Sequence, residues 1–400
     1  MRAGLLAGRE TVEGATVDGR GPRIWIERLC LTDFRNYAGL AIELDERPVV
    51  LTGANGAGKT NLLEAVSLLA PGRGLRGAPF GEILREGAAG GWAVAARVNG
   101  ADGPVDLGTG YAAAPGTETA GRTVRVDGTP ARSSGALGDH VRLVWLTPAM
   151  DGLFTGPASE RRRFLDRLIQ TVDPGYRTLL GRFERAMRQR NRLLEAEHGA
   201  PAQFEGLEAQ MAETGVAVAA ARRDALGRLL ACIETRREAD AASSFPWATL
   251  ALAGVLEERL AHEAAVDVED AYGAMLAAGR PRDRAAKRTL EGPHRSDLLV
   301  GHGPRGMAAR KCSTGEQKAL LVGLVLAHSE LVAQSHDGEA PLILLDEIAA
   351  HLDASRRTAL FREIGRLGVQ AWMTGTDRAV FVSEALEARL LSVEDGGICP

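Results

Sequence analysis

Lysine is scarce in this chain of 400 residues: only Lys59, Lys287, Lys311 and Lys318 stand among 48 basic side chains. Arginine supplies the rest, a bias that fits GC-rich coding better than a function. Aromatic residues are 4% of the total, too few for a groove that stacks successive bases of a single strand. The four cysteines, Cys30, Cys232, Cys312 and Cys399, lie far apart. They form no metal-ligand spacing and no disulfide framework, and they fit a reduced cytoplasm. No segment approaches the ~18 consecutive apolar residues of a membrane span. The first 22 residues lack an apolar stretch of signal-peptide length. They are read as a disordered extension or a misplaced start, outside the fold. No heptad pattern lasts long enough for an extended coiled coil.

What is present is ordinary in amount and uneven in distribution. An apolar content of 45% and a charged content of 25% describe a globular chain with a sizeable core. Its length implies two or three units. The net charge is −4, which alone does not favour a nucleic-acid partner. Yet residues 160–192 hold ten arginines against four acids, and residues 280–295 hold five arginines and Lys287 against two acids. If these stretches meet in space they form a basic sector on an acidic body; otherwise each is a solvated helix face.

The stretch Val49 to Asn61 organises the rest. Val49, Val50 and Leu51 read as a buried strand. Gly53-Ala54-Asn55-Gly56-Ala57-Gly58-Lys59-Thr60 then matches the P-loop pattern at every fixed position. Asn61 follows, and Leu62, Leu63, Val66 and Leu69 carry helical periodicity. Glycines let the backbone N–H groups close around a polyphosphate, and the helix presents its positive end to it. Lys59 reaches the terminal phosphates, and the Thr60 hydroxyl ligates Mg²⁺.

Short strands precede the loop at 24–37 and 41–44. Three Gly-linked runs, Trp92–Val98, Val105–Tyr111 and Thr123–Val126, predict an antiparallel meander, and Val141–Leu146 a further strand. From Ser159 to Ala278 the pattern is mostly helical. One helix over Gln203–Ala239 is too long to pack all round in a compact lobe, which predicts a short projecting antiparallel arm. After Leu290 the α/β character returns. The expected organisation is therefore an α/β body of residues 23–156 and 291–400, with a helical lobe or arm inserted at 157–290.

Two motifs complete the chemistry. Leu342-Ile-Leu-Leu-Asp346-Glu347 is an apolar strand ending in two acids, the Walker B pattern. Asp346 would hold Mg²⁺ and Glu347 would act as the general base orienting water. Cys312-Ser313-Thr314-Gly315-Glu316-Gln317-Lys318 opens an apolar helix that Ser313 can cap, and Gly315 permits a phosphate to approach its N-terminus. Arg35 follows a strand near the nucleotide, and contact with the phosphates and a purely structural role are both open. His294, in a Gly-Pro-His turn, reads as structural. His351, in the turn Ala349-Ala-His-Leu-Asp353, reads as facing a partner subunit.

Five stretches together resemble the RecF family, the SMC-like ABC ATPases of bacterial recombinational repair. They are Phe34-Arg-Asn-Tyr37; the P-loop; Arg161–Asp166 with Gln189-Arg-Asn191; Gly292-Pro-His-Arg295 with Asp297; and Ser313–Gln317 with Leu345–Asp353. The resemblance covers residues 23–380. It implies an ABC-ATPase head, a P-loop fold of mixed sheet with an antiparallel β part, carrying an inserted helical lobe. It implies a cytoplasmic, ATP- and Mg²⁺-dependent homodimer that hydrolyses ATP slowly and binds gapped or junction DNA. It also implies work with RecR and RecO to load RecA, in recombination and the SOS response. In such ATPases Ser313, Gly315 and Gln317 would read the nucleotide held by the other subunit. The chain departs from transporter-type ATPases in two places. No Gln lies between Thr60 and Gln170, where Asp151 is a substitute, and Thr374-Gly-Thr376-Asp377 lacks the usual switch histidine. A membrane-transporter ATPase subunit is the alternative from another class. A structural, DNA-bridging SMC protein would need a longer arm than 157–290 provides.

Overall fold

The computed structural model describes residues 23–112, 121–196, 201–240, 243–348, 352–394 and 396–399. The N-terminal 22 residues and the turn residues Ala349, Ala350 and His351 lie outside them. In chain order the first half runs β1 (Trp25–Phe34), β2 (Tyr37–Glu43), β3 (Val49–Thr52), α1 (Lys59–Ser67), β4 (Gly91–Gly100), β5 (Gly103–Ala112), β6 (Arg122–Val126), β7 (Thr129–Pro130) and β8 (Leu143–Leu146). Then come α2 (Ala158–Val172), α3 (Pro174–Glu195), α4 (Pro201–Ala239), β9 (Ala248–Ala253), α5 (Val255–Arg259), α6 (Ala265–Ala278) and α7 (Arg280–Ala285). The last part is β10 (Asp297–His302), β11 (Met307–Ala308), α8 (Thr314–Ser335), β12 (Leu342–Leu345), α9 (Ala354–Leu367), β13 (Ala371–Gly375), β14 (Arg389–Glu394) and β15 (Gly397–Cys399).

Three sheets result. The antiparallel sheet β2-β1-β4-β5-β6-β7 contains the expected meander. The central sheet has the order β15-β14-β3-β13-β12-β8 and is parallel except for β15. Its strands are short and apolar on both faces because both faces are covered. The side-chain alternation divides them between two cores. Val49, Leu51, Leu342, Leu344 and Trp372 pack with α1 and the antiparallel sheet. Val50, Ile343, Leu345 and Met373 pack with α8, α9 and the helical lobe. So α1 and α8 lie on opposite faces of the central sheet.

The third sheet, β11-β10-β9, departs from the sequence reading. β9 lies inside the stretch read as helical and pairs antiparallel with β10 along its full length. Its sequence, ATLALA, has the alternation of a strand but is rich in alanine, a helix former, and only the pairing with β10 resolves the conflict. The long helix corrects a second expectation. α4 has 39 residues, close to the predicted span, but it does not project. Phe204, Met211, Val218, Leu226, Leu229 and Ile233 are buried along its whole length. It pairs antiparallel with α3, as the ion pairs Arg182–Glu213 and Arg190–Glu208 show. α6 and α8 cover other faces. The helix is the spine of a lobe.

Candidate nucleotide site

β3 delivers the chain to the C-terminal edge of the central sheet, and the loop from Gly53 to Gly58 turns it into α1. Three of its glycines have φ of 149°, 85° and 115° (Gly53, Gly56, Gly58), values that side chains with a Cβ rarely adopt. Two are also wedged. A Cβ on Gly53 would collide with the carbonyl of Val393 at the end of β14, and one on Gly58 would lie 2.5 Å from Asn36 Nδ2 and 2.6 Å from the Tyr37 hydroxyl. Tyr37 donates to the Gly58 carbonyl at 3.1 Å, Asn36 donates to the Ala57 carbonyl at 3.1 Å, and Asn61 donates to Asn36 Oδ1 at 2.7 Å. The Phe34–Tyr37 turn thus braces the loop from behind. Asn55 and Gly56, at the tip, are exposed.

Lys59 is buried and bends back to donate to the carbonyls of Gly53 at 2.7 Å and Ala54 at 2.8 Å. Burial lowers its pKa, and the neighbouring carboxylates of Glu347 and Asp346 act in the other direction. Thr60 donates from its hydroxyl to Asp346 at 2.9 Å, at the end of β12. Thr374, at the end of β13, donates to the same carboxylate oxygen at 2.8 Å and accepts the backbone N–H of Glu347 at 2.8 Å. Glu347 is held at φ 55°, a strained value for a residue with a Cβ and one that recurs at functional positions. Its carboxylate is partly exposed and accepts no hydrogen bond among the described residues, so it is free to turn toward water.

The Thr60 hydroxyl and Asp346 carboxylate converge as two hard oxygen donors. Among the described residues no cluster of three or more His, Cys, Asp or Glu could hold a metal alone. A two-donor site of this kind suits Mg²⁺, which keeps several waters and takes its remaining ligands from substrate phosphates. Bound there, the ion would neutralise charge developing on the phosphates.

Arg35 is placed beside α1. It forks onto Glu64 at 2.9 and 2.8 Å and donates to the Glu82 carbonyl at 2.8 Å. Arg76 shares Glu64 at 2.7 Å and also donates to Asn61 Oδ1 at 2.7 Å. Glu64 itself is fully buried. Arg35 therefore anchors the P-loop helix in this state, whichever role it has with a nucleotide.

The second motif is separate from the first. Ser313 precedes α8 and donates its N–H and hydroxyl to Glu316 at 2.9 Å each. Gly315 has open space on its Cβ side, and its carbonyl accepts from Arg356 on α9 at 3.4 Å. Gln317 points inward, buried, and donates to the Cys312 carbonyl at 2.8 Å, so it shapes the loop and does not face outward. Among the described residues no hydrogen bond or ion pair joins 313–317 to the P-loop. Asp151 forms an ion pair with Lys318 of α8 at 2.8 Å, tying the turn after β8 to this helix. Of the Ala349–Asp353 turn, Leu352 and Asp353 are described; Leu352 is buried, and Asp353 caps α9 by accepting the N–H of Arg356 at 2.9 Å.

Sequence reasoning missed Thr374, Glu64, Asn36 and Tyr37 as parts of the site. Thr374 left a signal, a polar residue near the end of an otherwise apolar strand, and Asn36 and Tyr37 lay in the Phe34–Tyr37 stretch that carries the resemblance without a role assigned to them. The basic stretches do meet, since Arg190 pairs with Asp283 at 2.7 Å and Asn191 accepts the Thr289 N–H at 2.8 Å. Much of their charge is internal, however. Arg190 is fully buried on carboxylates, Arg161 forks onto Asp297 at 2.8 Å, and Arg280 pairs with Glu208. Arg185, Arg192, Arg284, Lys287, Arg288 and Arg295 remain exposed, without a carboxylate partner among the described residues. His294 packs on Phe183 and holds the Thr289 carbonyl at 3.0 Å, and burial pushes its pKa down to about 4. It is neutral and structural.

A P-loop, a strand ending in Asp-Glu, and a serine-led helix across the sheet define the head of an SMC-like ABC ATPase. The family model "RecF/RecN/SMC N terminal domain" matches residues 25–395. The chain is 54% identical over 376 residues, 94% of its length and 99% of the relative's, to the "DNA replication and repair protein RecF" of Rhizobium etli (strain CIAT 652). The protein of that name from Agrobacterium fabrum is 55% identical over 377 residues, covering 94% of this chain and 98% of that one. The chain belongs to the RecF family of DNA replication and repair proteins. Its fold matches the solved structure of "the recombination mediator protein RecF-ATP in RecFOR pathway" with a TM-score of 0.82, over 96% of this chain and 99% of that one, at 23% identity. No helix among the described residues is long and apolar enough to cross a membrane. Membership of the RecF family sets the transporter alternative aside.

Proposed function

We propose that the chain is an ATP- and Mg²⁺-dependent, dimerising DNA clamp of the cytoplasm that binds gapped DNA or single-strand/duplex junctions. Working with RecR and RecO, it would assist the loading of RecA, and slow hydrolysis would reset it. Residues 23–156 and 291–400 act as the ATPase body, and 157–290 as the lobe that presents the DNA-facing surface. In one subunit Lys59 leaves its loop carbonyls for the terminal phosphates, and the backbone N–H groups of Gly53–Asn61 cradle them. Thr60 and Asp346 hold the metal. Glu347, its backbone pinned by Thr374, orients the attacking water.

The observation that carries this reading is the division of the site. The P-loop helix and the helix that starts after Ser313 lie on opposite faces of the central sheet, so one chain supplies two incomplete halves. A second copy completes both when Ser313 and Gly315 of each subunit face the phosphate held by the other. The exposed Arg185, Arg192, Arg284, Lys287, Arg288 and Arg295 supply a sequence-blind attraction for DNA phosphates.

Binding of duplex, gapped and single-stranded DNA, measured with and without ATP and Mg²⁺, tests the proposal. Binding should strengthen with nucleotide and favour the gapped substrate. Lys59→Ala, which removes only a counter-charge, should lose the nucleotide effect with its fold intact. DNA binding that is indifferent to ATP in the wild type would defeat the clamp reading.

A further inference from the structure

The start of α8 is already occupied. Helix N-termini favour an anion because their first N–H groups lack intrahelical partners. Here the anion is Glu316, whose Oε2 accepts both the backbone N–H and the hydroxyl of Ser313 at 2.9 Å. Those are the two donors the proposed dimer needs for a phosphate on the other copy. The second oxygen of Glu316 is ion-paired with Arg305, on the short turn after β10. His302 ends that strand. It is buried, and its Nδ1 has no hydrogen-bond partner among the described residues. Glu316 therefore stands between Ser313 on one side and Arg305 on the other.

We propose that Glu316 is an internal substitute for the partner's γ-phosphate: it holds Ser313 in the single subunit and yields it on dimerisation, while Arg305 retains the displaced carboxylate. This rests on the reading of residues 313–317 as the half-site that acts across the dimer. A terminal phosphate carries more charge and more acceptor oxygens than one carboxylate, so it displaces Glu316 once it is close. A carboxylate left on Ser313 would instead repel the incoming phosphate. Hydrogen bonds from Ser313 hold the Glu316 carboxyl below its ordinary pKa, so the competing charge is present at neutral pH. The interaction thus keeps unliganded subunits from associating through bare signatures and makes nucleotide the condition for pairing.

A simple helix cap predicts the opposite sign, because weakening a cap loosens the helix start and the dimer with it. The test is sedimentation of the full chain with Mg²⁺ and the slowly hydrolysed analogue AMP-PNP. Glu316→Gln keeps an acceptor for the Ser313 N–H and removes the charge, and should tighten the dimer about tenfold, the scale of one charge-assisted hydrogen bond. Arg305→Ala should weaken the dimer in the wild-type background, where the displaced carboxylate loses its counter-charge, and change little in the Glu316→Gln background. If the Gln variant melts early, Glu316→Ala with the same Arg305 comparison decides the point. An unchanged or weaker Glu316→Gln dimer, or additive effects of the two substitutions, would overturn the inference alone. A wild type that stays monomeric with AMP-PNP would overturn the dimer reading and this inference with it.

Discussion

The arginines of the helical lobe and the polar groups at the nucleotide edge are both well supplied with partners, but the partners differ in kind. In the lobe, Arg190 is closed on Glu208 at 3.0 Å, Asp283 at 2.7 Å, Thr289 at 2.9 Å and the Leu276 carbonyl at 2.8 Å. Arg222 forks onto Asp166 at 2.9 and 3.0 Å and adds Ser296 and the Pro293 carbonyl. Each network is buried, and each joins helices distant in sequence. Both arginines are shut off from water, although Glu257, 3.7 Å from Arg222, keeps two buried oxygens without a hydrogen-bond partner. At the nucleotide edge each group rests on one or two partners at the rim of the sheet: Lys59 on its own loop, Thr60 on Asp346, Ser313 on Glu316. In the proposed mechanism a phosphate or a metal takes each of those places. Buried charge in a closed network specifies the fold, whereas charge on a provisional partner marks a site.

The largest effect should come from opening a closed network. Arg222→Ala leaves Asp166 as a buried carboxylate without its main counter-charge, which costs on the order of 3–5 kcal/mol. Chemical denaturation should show that loss. The same measurement on Lys59→Ala should show less than about 1 kcal/mol, since a lysine resting on loop carbonyls contributes little to the core. Equal losses in the two variants would erase the distinction between the regions.

A smaller effect separates the exposed arginines from the closed ones. Charge reversal at Arg284 and Arg288 should weaken binding to every DNA sequence alike. It should also lower the slope of log affinity against log salt by about one for each phosphate that is no longer neutralised. Folding should be unaffected. A salt slope identical to the wild type would place the DNA surface elsewhere.

Much of this could be read in advance because the decisive signals are local. The P-loop, the strand ending in Asp346-Glu347 and the serine before α8 are each contiguous, and their elements formed where the pattern put them. The meander was legible from its Gly-linked alternation. What escaped depends on distance in sequence. β9 is a strand because β10 lies beside it. α4 is buried because α3, α6 and α8 surround a helix whose own sequence carries no single apolar stripe. Thr374, Glu64 and Asn36 act through partners 28, 29 and 21 residues away or more, and no local pattern marks such pairs. For the arginine-rich stretches a basic sector and two solvated helix faces both stayed open, because sequence gives the charges without the buried carboxylates that neutralise them.

The central claim is that the nucleotide site is divided between two copies of the chain, and sedimentation of the wild type and Ser313→Arg with and without ATP and Mg²⁺ tests it most directly. A divided site requires a wild type that is monomeric alone and dimeric with ATP, and a Ser313→Arg variant that still binds ATP and stays monomeric. A dimer that forms equally well without nucleotide, or a variant that dimerises on ATP like the wild type, would contradict it.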